Sequence, residues 1–435
     1  MRDSDEAGAA GSWLGPRRGI MAAVAAGAAC VVVAACQGAS GQASAPAASG
    51  KPSASASAAA GGQLTIAPDS GNNVNPGKGV TVTSTTAMHK LTVMAGKHAL
   101  PGHLNAAGKV WRSSWALKPS RAYSLSASGV SSAGKTVTAS SKFRTLTPAA
   151  TDAAQTFEGY HQTYGVGMPI AITFSSPVTH KAAVERSLEI HTSKPVTGAW
   201  YWDGNQALDF RPMNYWPANT TVSFTAHLDG VQASAGTYFT SNLSQSFTIG
   251  QSLITVASTT SHYMKVYWKG KEIGNWPIST GQPGDDTANG TYLTIEKANP
   301  TRMVGHGYNV MVPYAVRFTW SGNYIHDAYW SVAQQGHINV SHGCVNVSPA
   351  HSVVYYRHAV PGDPVTVTGS PVAGKWDDGW TEWFLNWKHL VAGNALHMAV
   401  QAGPSGSTFV NPSSVQQKVK STVLHGSKPY NYLAK

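Results

Sequence analysis

Short runs of alternating apolar and polar residues, separated by Gly, Pro and Asn, are the feature that most constrains the fold of this chain. Examples lie at 63–66, 80–83, 90–93, 169–174 and 221–224. Successive side chains of a strand point to opposite faces, so this pattern predicts strands with one buried face. The chain has 435 residues, of which 42% are hydrophobic. We therefore expect a mostly β protein with about three domains of common size.

Two consecutive blocks, residues 63–147 and 148–250, share this strand-and-turn pattern. They also share a faint repeat, in which Pro119 and Pro217 each precede a strand-like run. We interpret the blocks as two tandem immunoglobulin-like β-sandwiches that lack the cysteine pair of antibody domains. Such domains could bind carbohydrate or cell wall, or act as rigid spacers. We favour spacers, because the blocks contain no constellation of site residues.

The remaining sequence changes in composition. Within 251–370 the strand pattern continues, but Trp, Tyr, His and Gly become denser and the loops longer, which is typical of a region that carries a site. The segment 371–435 holds a cluster of large aromatic residues: Trp376, Trp380, Trp383, Phe384 and Trp387. We expect 251–370 to be a β-rich catalytic domain and the aromatic-rich C-terminal segment to pack against a neighbouring domain.

The formal net charge of +11 is compatible with an anionic membrane surface, an anionic cell wall or nucleic acid. No run rich in Lys and Arg and no zinc-finger or RNA-binding signature accompanies this charge, which argues against nucleic acid. We expect a diffusely basic, secreted protein.

The N-terminal segment has the order of a secretory signal. Arg17 and Arg18 precede an apolar stretch, 20–35, that is short and rich in Ala and Gly. The stretch ends in Val-Ala-Ala-Cys, which resembles a bacterial lipobox with Cys36 as the lipidated residue. We predict a lipoprotein signal peptide over 1–36 and a flexible linker over 37–62. An ordinary signal peptide and a retained membrane helix are the alternatives.

After removal of such a signal, Cys344 is the one thiol left in the chain. It stands in the run Ser341-His342-Gly343-Cys344-Val345-Asn346, and His326 lies upstream of this run. A thiol reacts chiefly as thiolate, and a nearby imidazole can take its proton. We therefore expect His326 or His342 to form an ion pair with Cys344.

Two other interpretations of these residues are open. His306, His326, His342 and Cys344 could hold a metal, but they lack the paired spacing of a zinc site. Cys344 could also be a buried, inert cysteine. Nucleophilic catalysis by a Cys/His pair is the interpretation that we prefer.

The same run, preceded by a histidine, resembles the signature of the L,D-transpeptidase catalytic domain, also called the YkuD domain. The similarity extends to further short landmarks at 277–281, 289–292, 321–322, 335–337 and 361–363. The lipoprotein start, the upstream sandwiches and the aromatic C-terminal segment resemble the actinobacterial subgroup of that family.

This resemblance implies the roles of the catalytic group. Cys344 would be the acylated nucleophile and His326 its general base, oriented by the backbone carbonyl of Asp327. His342 and Gly343 would shape the pocket, with the N–H groups of residues 343 and 344 as oxyanion donors.

The resemblance also implies a substrate-binding group: Met303, Tyr308, Trp330, Ser341 and Asn346. Met303 and Tyr308 align with lid residues that cover the substrate. The surrounding lid sequence departs from the usual Ser/Thr-rich one, so the acceptor preference could differ.

The implied activity is two-step acyl transfer between peptidoglycan stem peptides. It releases a terminal D-Ala, forms a 3→3 cross-link and requires no cofactor and no metal. Carbapenem-type β-lactams would acylate the same cysteine. The implied location is the outer face of the cell membrane. An L,D-carboxypeptidase and a non-catalytic wall-binding lipoprotein are the alternatives, whereas a papain-like protease is disfavoured because Cys precedes His there.

Overall fold

Residues 62–159, 161–305 and 308–415 are described by the structure, a computed structural model. The predicted fold class is confirmed, because strands dominate and only three short α-helices occur among the described residues. The predicted signal peptide, nearly all of the predicted linker and Cys36 lie outside the described residues.

The first folded block contains two four-stranded antiparallel sheets. Their strand orders are β1-β2-β6-β5 and β4-β3-β7-β8. The strands are β1 (Leu64–Ala67), β2 (Thr81–Ser84), β3 (Met88–Ala95), β4 (His98–Ala99), β5 (Gly102–Leu104), β6 (Val110–Ser113), β7 (Ala122–Ser131) and β8 (Thr136–Arg144). Alternate residues of β7 are buried, among them Leu125 and Ala127, so this strand gives one face to the core.

The second block has a three-stranded sheet, β17-β18-β9, and contributes eight strands to a ten-stranded sheet. Its elements are β9 (Ala150–Asp152), β10 (Ala154–Thr156), β11 (Thr163–Tyr164), β12 (Ile170–Phe174), α1 (Lys181–Glu185), β13 (Leu188–Thr192), β14 (Val196–Asp203), β15 (Ala207–Pro212), β16 (Thr220–Ala226), β17 (Gln232–Ser234), β18 (Thr237–Phe239) and β19 (Leu243–Ile249).

The third block holds the cysteine run. It has a five-stranded sheet, β22-β21-β20-β30-β23, a four-stranded sheet, β24-β27-β28-β29, and the hairpin β25–β26. The elements are β20 (Leu253–Ser258), β21 (Tyr263–Trp268), β22 (Lys271–Pro277), β23 (Gly290–Leu293), β24 (Glu296–Ala298), β25 (Thr301–Gly305), β26 (Tyr308–Val312), β27 (Ala315–Arg317), β28 (Tyr324–Asp327), β29 (Val345–Val347), α2 (Pro349–His358) and β30 (Pro364–Thr368).

Helix α2 covers the strands of this third block. Ser348 caps its N-terminus by accepting a hydrogen bond from the N–H of His351, and Pro349 occupies its first turn. Tyr355 lies in the core together with Ile325 of β28 and Val345 of β29. The helix thus supports the two strands that border the cysteine run.

The C-terminal segment returns to the second block. It forms α3 (Trp387–Ala392), β31 (Ala399–Gly403) and β32 (Gly406–Val410). Strand β31 lies between β14 and β13 and completes the ten-stranded sheet, with β32 paired to it. Trp380 and Trp383 pack in the core of the second block, while Phe384 packs in the core of the third. The segment therefore joins two blocks.

None of the helices in the described ranges has the length and apolar character needed to cross a membrane.

Candidate active site

Two neighbouring strands place Cys344 and His326 on the same side of the third block. Strands β28 and β29 are parallel, with Ile325 opposite Val345 and His326 opposite Asn346. Ile325 and Val345 are buried in the core. Ile325 directly precedes His326 along the chain, and Val345 directly follows Cys344. Because successive side chains alternate in direction, His326 and Cys344 face away from that core. Both line one pocket.

The imidazole of His326 is held by a backbone hydrogen bond. Its Nδ1 lies 2.7 Å from the carbonyl oxygen of Asp327, so Nδ1 carries the proton and donates it to this oxygen. This is the contact that the family resemblance implied, and it leaves Nε2 as an acceptor. Burial lowers the pKa of His326 to about 4, an effect that the bond to Asp327 only partly offsets. The imidazole is therefore neutral near pH 7.

The thiol of Cys344 is also neutral near pH 7. Burial raises its pKa to about 11, and a hydrogen bond from the backbone N–H of Tyr324 opposes this shift. The sulfur also lies 3.9 Å from the carbonyl oxygen of Gly322, to which the S–H can donate. Desolvation thus disfavours both charges of the expected thiolate–imidazolium ion pair, which stays a prediction. Both shifts favour a neutral thiol and a neutral imidazole in the same pocket.

Most of the predicted site residues line a single pocket of about 160 Å³. The predicted residues among its lining are Met303, Tyr308, His326, Trp330, Ser341, His342, Cys344 and Asn346. Three apolar residues that the sequence did not single out, Val310, Val312 and Val340, complete the lining. A larger groove of about 410 Å³ lies on the second block, but it shares no residue with this pocket and contains no cysteine.

Met303 and Tyr308 reach the pocket from the hairpin β25–β26, which we name the lid. Met303 pairs with Val310 across the two strands, so both side chains share the inner face. Tyr308 and Cys344 pack against a small buried cluster that contains Met303. The Tyr308 ring lies 4.8 Å from the ring of His342, and burial raises the pKa of its hydroxyl. The lid thus forms one wall of the pocket.

Trp330 also lines the pocket. It belongs to a short 3-10 turn, Tyr329–Ser331, that follows β28. Its ring centroid is 6.0 Å from that of His326, and it remains about half exposed. A large, partly exposed aromatic ring beside a buried base can contact a ligand.

Ser341 and Asn346 make hydrogen bonds that shape the cysteine run. The Ser341 hydroxyl donates to the carbonyl of Cys344 at 2.7 Å and accepts from the N–H of Gly343 at 3.2 Å. The side-chain amide of Asn346 donates to the Ser331 hydroxyl at 3.0 Å. The Gly343 N–H, expected as an oxyanion donor, is therefore engaged within the loop.

Asp327 and Gly343 do not line the pocket. Asp327 contributes its carbonyl to His326, whereas its carboxyl group is buried and has a raised pKa because of desolvation. Gly343 has φ of 110°, in the region that favours glycine, and a Cβ there would lie 2.5 Å from the side-chain nitrogen of Asn323. The glycine of the signature is thus required by backbone conformation and by close packing.

Sequence analysis did not single out Thr287 and Asn323, which donate hydrogen bonds to the carbonyl of Gly343. The available signal was their position, since Thr287 lies between two landmarks and Asn323 directly follows a third, Ser321-Gly322. No local pattern shows that both contact the cysteine run.

Within the ranges that the structure describes, no three His, Cys, Asp or Glu side chains are grouped so that they could hold a metal ion. His306, one of the histidines considered for such a site, lies outside those ranges.

Comparison with known proteins identifies the class of protein that this fold and pocket define. The family model of the bacterial Ig domain matches residues 71–232, and that of the L,D-transpeptidase catalytic domain matches residues 252–367. L,D-transpeptidase 2 of Mycobacterium tuberculosis is 31% identical over 331 residues, which cover 73% of this chain and 80% of that protein. The chain therefore belongs to the L,D-transpeptidases, a family of enzymes.

Two further relatives are similar. L,D-transpeptidase 5 of Mycobacterium tuberculosis is 36% identical over 289 residues, which cover 63% of each chain. The solved structure of L,D-transpeptidase 3 of the same organism, in complex with a faropenem-derived adduct, is 30% identical. It covers 49% of this chain and 97% of that one, with a TM-score of 0.41.

Proposed function

We propose that this L,D-transpeptidase forms 3→3 cross-links in peptidoglycan through a thioester on Cys344. The observation that carries the proposal is the pocket lined by both Cys344 and His326, in which Nδ1 of His326 is occupied by the Asp327 carbonyl. An imidazole held in this tautomer presents Nε2 as the proton acceptor for the thiol.

In the first step, the sulfur of Cys344 attacks the carbonyl of the third residue of a donor stem tetrapeptide. His326 takes the thiol proton as the C–S bond forms, so the charge pair exists only during the reaction. The peptide bond to the terminal D-Ala then breaks, and the imidazolium returns the proton to the leaving amine. The products are a thioester on Cys344 and free D-Ala.

In the second step, the side-chain amine of an acceptor stem attacks the thioester. His326 takes a proton from the amine and gives it to the departing sulfur, so the amide cross-link forms and the thiol is restored. Water in place of the amine would give an L,D-carboxypeptidase. The apolar side chains of Met303, Val310 and Val312 along the pocket support amine transfer, because they limit access of water to the thioester.

We also propose that carbapenem-type β-lactams acylate Cys344. The strained lactam carbonyl would accept the sulfur, the ring C–N bond would break, and the ring nitrogen would take the proton from His326. No group leaves the enzyme in this reaction, so the adduct retains the whole mass of the drug.

Purified disaccharide-tetrapeptide tests the main proposal. The wild-type enzyme should release D-Ala and produce a cross-linked dimer, both detectable by mass spectrometry, whereas Cys344→Ala should produce neither. Release of D-Ala with tripeptide monomer alone would identify a carboxypeptidase. Dimer formation by Cys344→Ala would contradict the thioester.

Export and lipid anchoring at Cys36 are a separate proposal, supported by the order of charged, apolar and small residues before that cysteine. In the native host, Cys36→Ala should move the protein out of the membrane fraction, since the lipid supplies the anchor. Cys30→Ala is the matched control and should leave the distribution unchanged. Retention of Cys36→Ala in the membrane fraction would favour an uncleaved N-terminal helix.

A further inference from the structure

The carbonyl oxygen of Gly343 accepts hydrogen bonds from two side chains outside the cysteine run. The hydroxyl of Thr287 donates to it at 2.8 Å, and the side-chain amide of Asn323 donates as well. Thr287 lies in the loop between β22 and β23, and Asn323 directly precedes β28. We name these two residues the carbonyl clamp.

The side-chain oxygen of each member of the carbonyl clamp accepts a hydrogen bond from another residue. The Thr287 oxygen accepts from the N–H of Gly281 at 2.9 Å, so its proton is directed to Gly343. The Asn323 side-chain oxygen accepts from the Thr319 hydroxyl at 2.7 Å, which leaves its amide group to donate. Thr287 is only 1% exposed. Neither side chain lines the pocket, so direct substrate contact does not explain them.

The clamp determines the direction of the next N–H group. The only cis peptide bonds among the described residues precede Pro68 and Pro300, so the peptide between Gly343 and Cys344 is trans. In a trans peptide the N–H and C=O point in opposite directions. A carbonyl held toward Thr287 and Asn323 therefore turns the Cys344 N–H away from them.

The Cys344 N–H has no hydrogen-bond acceptor in the described part of the chain, in contrast to the Gly343 N–H, which bonds Ser341. The free donor thus belongs to the residue that carries the sulfur. When this sulfur adds to a carbonyl, negative charge develops on an oxygen bonded to the same carbon, and a preorganised N–H stabilises it.

The flexible backbone of Gly343 needs the two hydrogen bonds of the clamp to hold its conformation. Gly343 has φ of 110°, a conformation that glycine adopts readily but does not hold by itself. Without the two hydrogen bonds, the 343–344 peptide could rotate and the N–H would lose its direction. Two donors on the carbonyl also polarise the peptide and strengthen its N–H as a donor.

We infer that Thr287 and Asn323 are positioning residues that orient the Cys344 N–H toward the oxyanion of the acyl-transfer reaction. This inference rests on the proposed role of Cys344 as the nucleophile. It assigns oxyanion stabilisation to the Cys344 N–H alone within the cysteine run, rather than to residues 343 and 344 together.

Two small probes separate orientation of the N–H from reactivity of the thiol. Acylation by p-nitrophenyl acetate passes through an oxyanion, whereas alkylation by iodoacetamide does not. Thr287→Val keeps the side-chain shape and removes the hydroxyl, while Thr287→Ser keeps the hydroxyl. Thr291→Val is the matched control, because Thr291 is equally buried and its hydroxyl bonds Thr366 in the sheet.

We expect Thr287→Val to lower the rate of acylation by the ester roughly 10- to 100-fold, below the loss for removal of a whole oxyanion donor. Its alkylation rate at the same pH should stay within about twofold, since burial of the thiol is unchanged. Thr287→Ser should recover most of the acylation rate, and Thr291→Val should behave as wild type. Asn323→Ala is the second variant if Thr287→Val fails to fold. It should show the same split, that is, slower acylation with an unchanged alkylation rate.

An unchanged acylation rate in Thr287→Val, or a parallel loss of acylation and alkylation, would overturn the inference. The assignment of the natural reaction is tested independently by release of D-Ala from disaccharide-tetrapeptide by the wild-type enzyme. If the wild type releases none while Thr287→Val still shows the split, the proposed substrate is wrong and the carbonyl clamp stands.

Discussion

The two sides of the reactive pocket differ in how they are built. One side, which we name the pocket floor, consists of β28, β29 and the cysteine loop 341–344. Its strands are paired with each other and packed on a buried core, and its loop carries hydrogen bonds from several other segments. The lid is a two-stranded hairpin whose outer face is open, with Val304 66% and Met311 57% exposed.

This difference suits the floor for holding groups in fixed positions and the lid for adjusting to what enters the pocket. The reacting groups need fixed positions, and the floor supplies them through burial and through hydrogen bonds of the backbone. The lid lines the pocket with apolar side chains, and a two-stranded hairpin with one exposed face is held by fewer contacts than the packed floor. Changes in the floor should therefore affect chemistry and stability, whereas changes in the lid should affect substrate affinity.

The largest effect is expected for the nucleophile in the floor. Cys344→Ser should lower the rate of acylation by a carbapenem at least roughly 10³-fold, because a serine hydroxyl is a far weaker nucleophile when no strong base activates it. Cys344→Ala should give no covalent adduct. Intact-protein mass spectrometry measures both, and the melting temperature should stay close to that of the wild type. A carbapenem adduct on Cys344→Ala would place the nucleophile elsewhere.

The next largest effect is expected for the base. His326→Gln should lower the acylation rate about 10²- to 10⁴-fold, the range for loss of a general base. His342→Gln is the matched comparison, because His342 is exposed at the pocket and makes no contact with the Asp327 carbonyl. It should lower the rate far less. Equal losses in stopped-flow measurements would mean that His326 is not the specific base.

The pH dependence of the floor follows from the two pKa shifts. A base whose pKa is lowered to about 4 remains neutral from pH 7 down to that value, so acylation should persist to about pH 4 and fall below it. A thiol whose pKa is raised to about 11 should alkylate with iodoacetamide at a rate that rises tenfold per pH unit toward pH 11. An alkylation rate that stays constant between pH 5 and 8 would instead support a thiolate–imidazolium ion pair.

A smaller effect, on stability, is expected for Asn346→Ala in the floor. The side-chain amide of Asn346 bonds Ser331, and both residues are buried. Loss of this amide should lower the free energy of unfolding by about 1–3 kcal/mol, the usual cost of disrupting a buried polar pair. Denaturant unfolding measures it. A shift below the measurement error would show that the contact is dispensable.

The smallest effects are expected in the lid. Met303→Ala removes an inner side chain of the lid that lines the pocket together with Cys344, so KM for the stem peptide should rise several-fold while kcat changes little. Met311→Ala on the outer face is the matched control and should leave both constants unchanged. The opposite order, or a fall in kcat alone, would show that the lid takes part in positioning the reacting groups.

Much of the fold and of the site could be predicted from the sequence, because the relevant signals are local. Alternating polarity identifies strands by itself, since burial of one face imposes a period of two. The cysteine run and His326 form a recognisable motif, and Met303, Tyr308 and Trp330 follow from the same resemblance. The return of β31 to the second block was not foreseen, because nothing in 399–403 specifies that it pairs with β14, about 200 residues earlier.

The sequence by itself therefore indicated the class of fold and the proposed reactive residues, Cys344 and His326. The reason for the glycine before the cysteine, its φ of 110° and the close approach of Asn323, came from the structure. Only the tertiary structure decided the protonation and orientation of the reactive residues. The carbonyl clamp joins Gly343 to residues 56 and 20 positions away, and the neutral state of Cys344 and His326 depends on what surrounds them. Desolvation and hydrogen bonds between distant segments arise only when the chain is packed, and no local pattern of residues encodes them.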